Sequence, residues 1–99
     1  MDRLLLDSSV VVATKDHVSC PLGDDIIILD LKAGLYFSLD NVGARIWQLI
    51  QQPRAIQELR TAILDEFEVA QDACERDLLA LVTDLAARGL IDVRDAAAV

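Results

Sequence analysis

The sequence predicts an α+β fold in which an antiparallel meander of short strands precedes three helices. The first part of the chain contains short β-branched and aromatic runs separated by glycine, aspartate and proline, a pattern typical of strands and turns. After residue 40, apolar residues recur three and four positions apart, which is the periodicity of amphipathic helices. The last two predicted helices are arranged like a helix-turn-helix unit.

The predicted strands come first and form a three-stranded antiparallel N-terminal sheet. Strands are expected at residues 9–13, 26–31 and 35–39, with a weak extended piece at 18–20, and the isoleucine run makes 26–31 the strongest of them. Gly34 ends the connection between the last two segments, which fits a tight turn closed by a left-handed residue. Alternation gives the last segment two faces: Leu35, Phe37 and Leu39 on one, Tyr36 and Ser38 on the other.

Two helices are predicted next. Asp40 is a suitable N-cap for the first, which runs to about residue 51 and ends before Pro53. The second covers residues 56–67, where Ala55 stands at the position of the usual capping Ser or Thr. The extreme ends of the chain, 1–3 and 95–99, are expected to fray.

The third helix has a broader apolar face than packing alone requires. Asp72 with Glu75 resembles a capping box at its start, and Gly89 marks its end, with residues 90–93 as an extended tail that could pack back. At about 100° per residue its apolar residues span about 160° of the helix, against the roughly 100° of a surface helix. Two interpretations fit this face, and they are not exclusive: the helix is central and broadly buried, or part of the face lines an open groove.

Composition restricts the possible partners. The chain has 99 residues, enough for one domain, 1–99, and its net charge is −8. An acidic chain without a basic cluster is a poor ligand for nucleic acid or for an anionic membrane, because both are bound through lysine and arginine. Apolar runs are too short to span a bilayer and no signal sequence is evident, so we expect a cytoplasmic protein.

No catalytic or metal-binding pattern is present in the sequence. His17 is the only histidine, and it stands in no recognisable nucleophile motif. Cys20 and Cys74 are too far apart in the chain for the usual spacing of a zinc half-site, and no glycine-rich phosphate loop occurs. We therefore expect no enzyme activity, no cofactor and no metal.

The segment 35–39 is expected to be an edge strand. Edge strands carry unpaired N–H and C=O groups that are usually protected by lysine, proline or a bulge. This segment contains neither a charge nor a proline. Either a neighbouring part of the chain covers it, or a partner peptide adds a strand there.

Several motifs in order resemble the PqqD-like family. They are Leu29-Asp30-Leu31 followed by Gly34-Leu35-Tyr36-Phe37-Ser38-Leu39, then Asn41 to Ile50 with the pair Ile46-Trp47, and finally Arg88-Gly89-Leu90-Ile91. Together they extend over about residues 8 to 93, nearly the whole chain. A series of this length is more specific than any one motif.

The resemblance implies a winged helix-turn-helix fold that binds peptide instead of DNA. Such recognition elements bind the leader segment of a ribosomally made precursor. The leader adds a strand to the last strand of the N-terminal sheet, which is called the wing, and its side chains enter a cleft between that strand and the third helix. The resemblance to stand-alone chains of lasso-peptide biosynthesis implies delivery to a separate leader peptidase and then a cyclase; the rival is a chaperone for a radical-SAM or other modifying enzyme. The expected contacts are Leu35, Tyr36, Phe37 and Ser38 on the strand, and Arg76, Asp77, Leu78, Leu81, Val82, Asp84 and Leu85 on the helix.

Two other functions compete with peptide capture. A winged-helix DNA regulator would need a basic recognition helix, whereas Arg76 and Arg88 lie among acids in the third helix. A purely structural assembly subunit would bind an enzyme without any leader. If the protein captures a peptide, Asp77 and Asp84 would pair with cationic leader residues, and the pocket walls would be formed by Leu78, Leu81, Val82 and Leu85. The protein itself would be a monomer or a weak dimer.

Overall fold

The computed structural model describes residues 8–94, in which two small antiparallel sheets pack with three helices. In chain order the elements are β1 Val10–Ala13, β2 His17–Leu22, β3 Asp25–Asp30, β4 Leu35–Leu39, α1 Asn41–Leu49, β5 Arg54–Ala55, α2 Ile56–Glu66, α3 Gln71–Ala87 and β6 Ile91–Arg94. The ends predicted to fray, 1–3 and 95–99, lie outside the described residues. None of the helices in this part of the chain is long and apolar enough to cross a bilayer.

The wing is the antiparallel sheet β2-β3-β4, and it confirms the predicted three-stranded N-terminal sheet. Ile26 and Ile28 of the central strand point inward and are buried, because the strand alternates between core and solvent. The second strand is longer than predicted and continues through Pro21. Proline is tolerated there because β2 is at the edge of the sheet, where a missing N–H leaves no ladder bond unmade.

The first strand does not join the wing. It forms the centre of a second sheet, β5-β1-β6, in which Val11 pairs with Val93 and is fully buried. The predicted order of three strands followed by three helices was therefore incomplete, because β1 has its partners far away in the chain. The predicted packing of the C-terminal tail is confirmed, and the Thr14 hydroxyl donates to the Gly89 carbonyl at 3.1 Å beside it.

The β3–β4 connection is a four-residue loop, one residue longer than predicted. The carboxylate of Asp30 accepts hydrogen bonds from the backbone N–H groups of Lys32 at 3.0 Å and Ala33 at 3.3 Å. The N–H of Gly34 donates to the Asp30 carbonyl at 2.9 Å, and Gly34 has φ 69°, as expected for a left-handed closing residue. This loop sets the direction in which β4 returns along the wing.

The helix starts differ in how they are capped. The side chain of Asp40 accepts from the Gly43 N–H at 2.9 Å, so the predicted cap of α1 is confirmed. At α2, Glu58 accepts from the Ala55 N–H at 2.9 Å; alanine has no side-chain acceptor to complete a capping box. The predicted cap at Asp72 is wrong, because α3 begins at Gln71. Asp72 lies in its first turn, where a carboxylate interacts favourably with the positive end of the helix dipole.

The third helix ends in a capped turn at Gly89. Gly89 has φ 74°, and the N–H of Leu90 donates to the Leu85 carbonyl at 3.0 Å, which is a Schellman ending.

Trp47 of α1 is buried, and the ring of His17 from the wing packs against it edge-on, with ring centroids 4.7 Å apart. Through this contact the wing is held against the helical unit.

A cleft between the wing and the third helix

A cleft of about 520 Å³ opens between the end of β4, the start of α1 and the first half of α3. Its position follows from the fold, because β4 runs directly into the capped start of α1 while α3 crosses opposite them. The residues that line it are Ser38, Leu39, Asp40, Val42, Gly43, Ile46, Ile63, Val69, Ala73, Cys74, Asp77, Leu78 and Leu81.

The lining of the cleft is mainly apolar. Ile46 and Leu78 form part of the buried core and also face the cleft, so its floor is core surface. Leu39 and Leu81 are only partly buried on its sides, and Val69 of the α2–α3 linker is exposed at its mouth. Binding sites commonly combine such an apolar concavity with a few polar groups, so this cleft is suited to receive an apolar side chain.

The charged residues that line the cleft, Asp40 and Asp77, are both acidic. Asp40 is held by its capping bond to α1. The side chain of Asp77 is 79% exposed, and it contacts Arg76 at 3.9 Å, itself exposed. An exposed ion pair of this kind contributes little, so Asp77 presents a carboxylate to an incoming ligand.

An aromatic and basic contact joins the middle of β4 to the end of α3. The guanidinium of Arg88 lies over the ring of Phe37, 4.5 Å from its centroid. The Nε of Arg88 also donates to the Asp84 carboxylate at 3.1 Å, one helical turn earlier. Phe37, Asp84 and Arg88 therefore join β4 to the second half of α3.

β4 presents an open edge beside the cleft. In the part of the chain that the structure describes, β4 pairs with β3 alone, through Ile26↔Leu39 to Asp30↔Leu35. Tyr36 is 74% exposed and Ser38 is exposed, while Phe37 and Leu39 turn inward, as the alternation predicted. The outer N–H and C=O groups of this strand can therefore pair with an added strand.

The structure brings only some of the predicted site residues to the cleft. Ser38, Asp77, Leu78 and Leu81 line it, and Leu35, Tyr36 and Phe37 lie along the adjoining strand. Val82 and Leu85 were expected as pocket walls, but they are 0% and 2% exposed and lie in the core, because their side of α3 faces the other helices and the sheets. Asp84 is already paired with Arg88, and Arg76 contacts Asp77 instead of lining the cleft.

Several lining residues were missed by the sequence analysis. Val42 and Ile46 of α1, Val69 of the linker, and Ala73 and Cys74 of α3 all line the cleft. Their apolar spacing was a signal for core positions, and only the placement of α1 and α3 on the two sides of the cleft shows that the same positions border an open space. Burial raises the pKa of the Cys74 thiol, so it remains protonated at neutral pH. Among residues 8–94 no cluster of side chains is suited to hold a metal ion.

Comparisons with known proteins found one family and two solved structures that this chain is similar to. A family model described as Coenzyme PQQ synthesis protein D (PqqD) matches residues 25–91. A solved structure, TbiB1 in complex with the TbiA(beta) leader peptide, has a TM-score of 0.74 and 34% identity, over 82% of this chain and 94% of that one.

A second solved structure supports the fold alone. It is a lasso peptide synthetase B1 complexed with the leader peptide, with a TM-score of 0.71 and 24% identity over 83% of this chain and 96% of that one. Comparison with curated proteins gave no match. Because the family model matches well over half of the sequence, this chain belongs to the PqqD family.

Proposed function

We propose that this protein binds the leader segment of a ribosomally made precursor peptide and presents it to a separate modifying enzyme, without catalysing a reaction itself. The observation that carries the proposal is the open edge of β4 beside an apolar cleft. The solved structure of a relative with 34% identity contains a leader peptide, which supports a peptide as the ligand.

Binding would use two kinds of contact. The leader adds a strand to β4, so that its main-chain groups pair with those of Tyr36 and Ser38 and set the register. An inward-facing apolar leader side chain then enters the cleft between Leu39, Leu78 and Leu81. Main-chain pairing alone discriminates little between peptide sequences, whereas the cleft discriminates by the size and polarity of the leader side chain that enters it. Since ordering a peptide costs entropy, we expect a dissociation constant on the order of 0.01–10 μM.

The enzymes served are a leader peptidase and a cyclase of lasso-peptide biosynthesis. One solved structure of the same fold is named a lasso peptide synthetase B1 and is complexed with a leader peptide, and this name is the support for the assignment. The family description refers to synthesis of coenzyme PQQ, and it supports the alternative of a chaperone for a radical-SAM or other peptide-modifying enzyme. Reconstituting leader removal with the purified peptidase, with and without this protein, separates the two.

Peptide capture is tested by titrating the protein into a fluorescently labelled leader peptide and following anisotropy. The leader is taken from the nearest precursor gene. Leu81→Asp places a charge in the cleft, and Thr83→Asp, at an exposed position of the same helix, is the matched control. We expect saturable binding to wild type and to Thr83→Asp, and loss of binding to Leu81→Asp, with circular dichroism showing all three folded. Equal binding by all three would move the site off the cleft; no binding by wild type would refute peptide capture of this leader.

A further inference from the structure

The proposed peptide site has opposite charges at its two ends. The charged residues in the lining of the cleft are acids, and Asp77 is the more accessible of the two. Arg88 follows Leu81 by two turns on α3 and contacts Phe37, which precedes the lining residues Ser38 and Leu39 on β4. Both elements therefore place Arg88 beyond the same end of the cleft, away from Asp77.

The acidic end can bind a cation at little cost. The contact between Asp77 and Arg76 is 3.9 Å long and fully at the surface, so a competing basic side chain displaces a weak interaction. Asp40 adds a second carboxylate to the same lining while its Oδ1 keeps the bond to Gly43.

The basic end can bind an anion in a fixed position. The face of the Arg88 guanidinium is held over Phe37, and its Nε is held by Asp84. A guanidinium carries five N–H donors in a planar fork, so a group anchored through Nε can still present its terminal nitrogens to a carboxylate. The side chain of Arg88 is 43% exposed, so a ligand can reach it.

The distance between the ends sets a spacing in the ligand. Asp77 and Arg88 are eleven positions apart in the chain, which is about 16 Å along a helix. An extended peptide covers that distance in about five residues. Resting on the proposed function, we propose that the bound leader carries a lysine or arginine against Asp77 and an aspartate or glutamate against Arg88, about five residues apart, with an apolar residue between them that enters the cleft.

The test begins with a random peptide library displayed on phage and selected on the immobilised full chain. Wild type should enrich peptides with a base and an acid about five positions apart. Selection on Asp77→Lys should lose the base alone, and selection on Arg88→Glu should lose the acid alone. Two controls accompany these variants. Arg88→Gln removes the positive charge without placing a new carboxylate next to that of Asp84. Asp65→Lys on α2 makes the same charge change as Asp77→Lys on another face of the protein.

A charge exchange with one selected synthetic peptide then isolates the contact. Changing its base to glutamate should weaken binding to wild type by about three- to tenfold, a range set by measured exposed and partly buried ion pairs. Asp77→Lys should restore that loss, and Asp65→Lys should not. Cleft-dependent peptides without charge preference, or no restoration, would overturn this inference and leave peptide capture standing. Peptides that bind Leu81→Asp as well as wild type would overturn this inference and place the peptide site outside the cleft, and a library that yields no binding peptide would overturn both proposals.

Discussion

The side chain of Asp40 caps α1 and also lines the cleft, so one substitution tests how far the site depends on the stability of that helix start. Asp40→Ala removes the 2.9 Å bond from the Gly43 N–H. Loss of an N-cap of this type costs about 1 kcal/mol, and for a domain of this size that lowers Tm by about 4–8 °C. Asp40→Asn keeps an oxygen acceptor of nearly equal capping strength, so we expect it to retain most of the stability.

The assay is urea unfolding followed by circular dichroism, with the slope m compared among the three proteins. An unchanged m with a lower midpoint for Asp40→Ala identifies a change in stability and not in the surface exposed on unfolding. The reasoning would be refuted by a loss in Asp40→Asn as large as that in Asp40→Ala, or by no loss in either. Both variants lack the negative charge, so weaker binding of a cationic peptide by both would report the charge separately from the cap.

Three further predictions concern stability and the two thiols. Ala70→Ser should raise the unfolding free energy by about 0.5–1 kcal/mol, because the exposed N-cap of α3 has no side-chain acceptor. Leu85→Ala should lower it by about 2–5 kcal/mol by opening a cavity, whereas Leu35→Ala, at an exposed position, should change it by less than about 0.5 kcal/mol. Iodoacetamide should alkylate the exposed Cys20 before the buried Cys74, as followed by mass spectrometry, because burial raises the pKa of the Cys74 thiol and lowers its thiolate fraction. The rate at which Cys74 is alkylated should rise with pH and fall when a leader is bound.

Local patterns were enough to predict the wing and the first helix cap. The exposed Tyr36 and inward Phe37 follow from alternation along one strand, and the cap at Asp40 follows from a side chain three residues from its donor. The sheet around β1 was missed because its register joins Val11 to Val93, and no local feature of a four-residue strand identifies a partner that distant. The cap of α3 was misplaced by two residues: Ala70, which has no capping side chain, is the N-cap, and the preference of Asp72 for a capping position did not determine the helix start.

The broad apolar face of α3 was predicted to be core, to line a groove or to do both, and it is divided between the two. Helical periodicity gives the angle of each residue around the axis but not which neighbour covers it. Val82 and Leu85 are covered by the rest of the domain, Leu81 faces the cleft, and Leu78 does both. That division required the relative placement of β4, α1 and α3, which depends on contacts between distant parts of the chain.

The shared use of Leu78 has a consequence for binding. Because it is 2% exposed and packed with the core while it forms part of the cleft floor, its position is set before any ligand arrives. A peptide that enters such a cleft does not have to order that wall, and the entropic cost of binding falls mainly on the peptide. The edge of β4 is likewise formed in advance by its pairing with β3. We therefore expect affinity to depend more on how readily the leader extends than on any rearrangement of the wing or of α3.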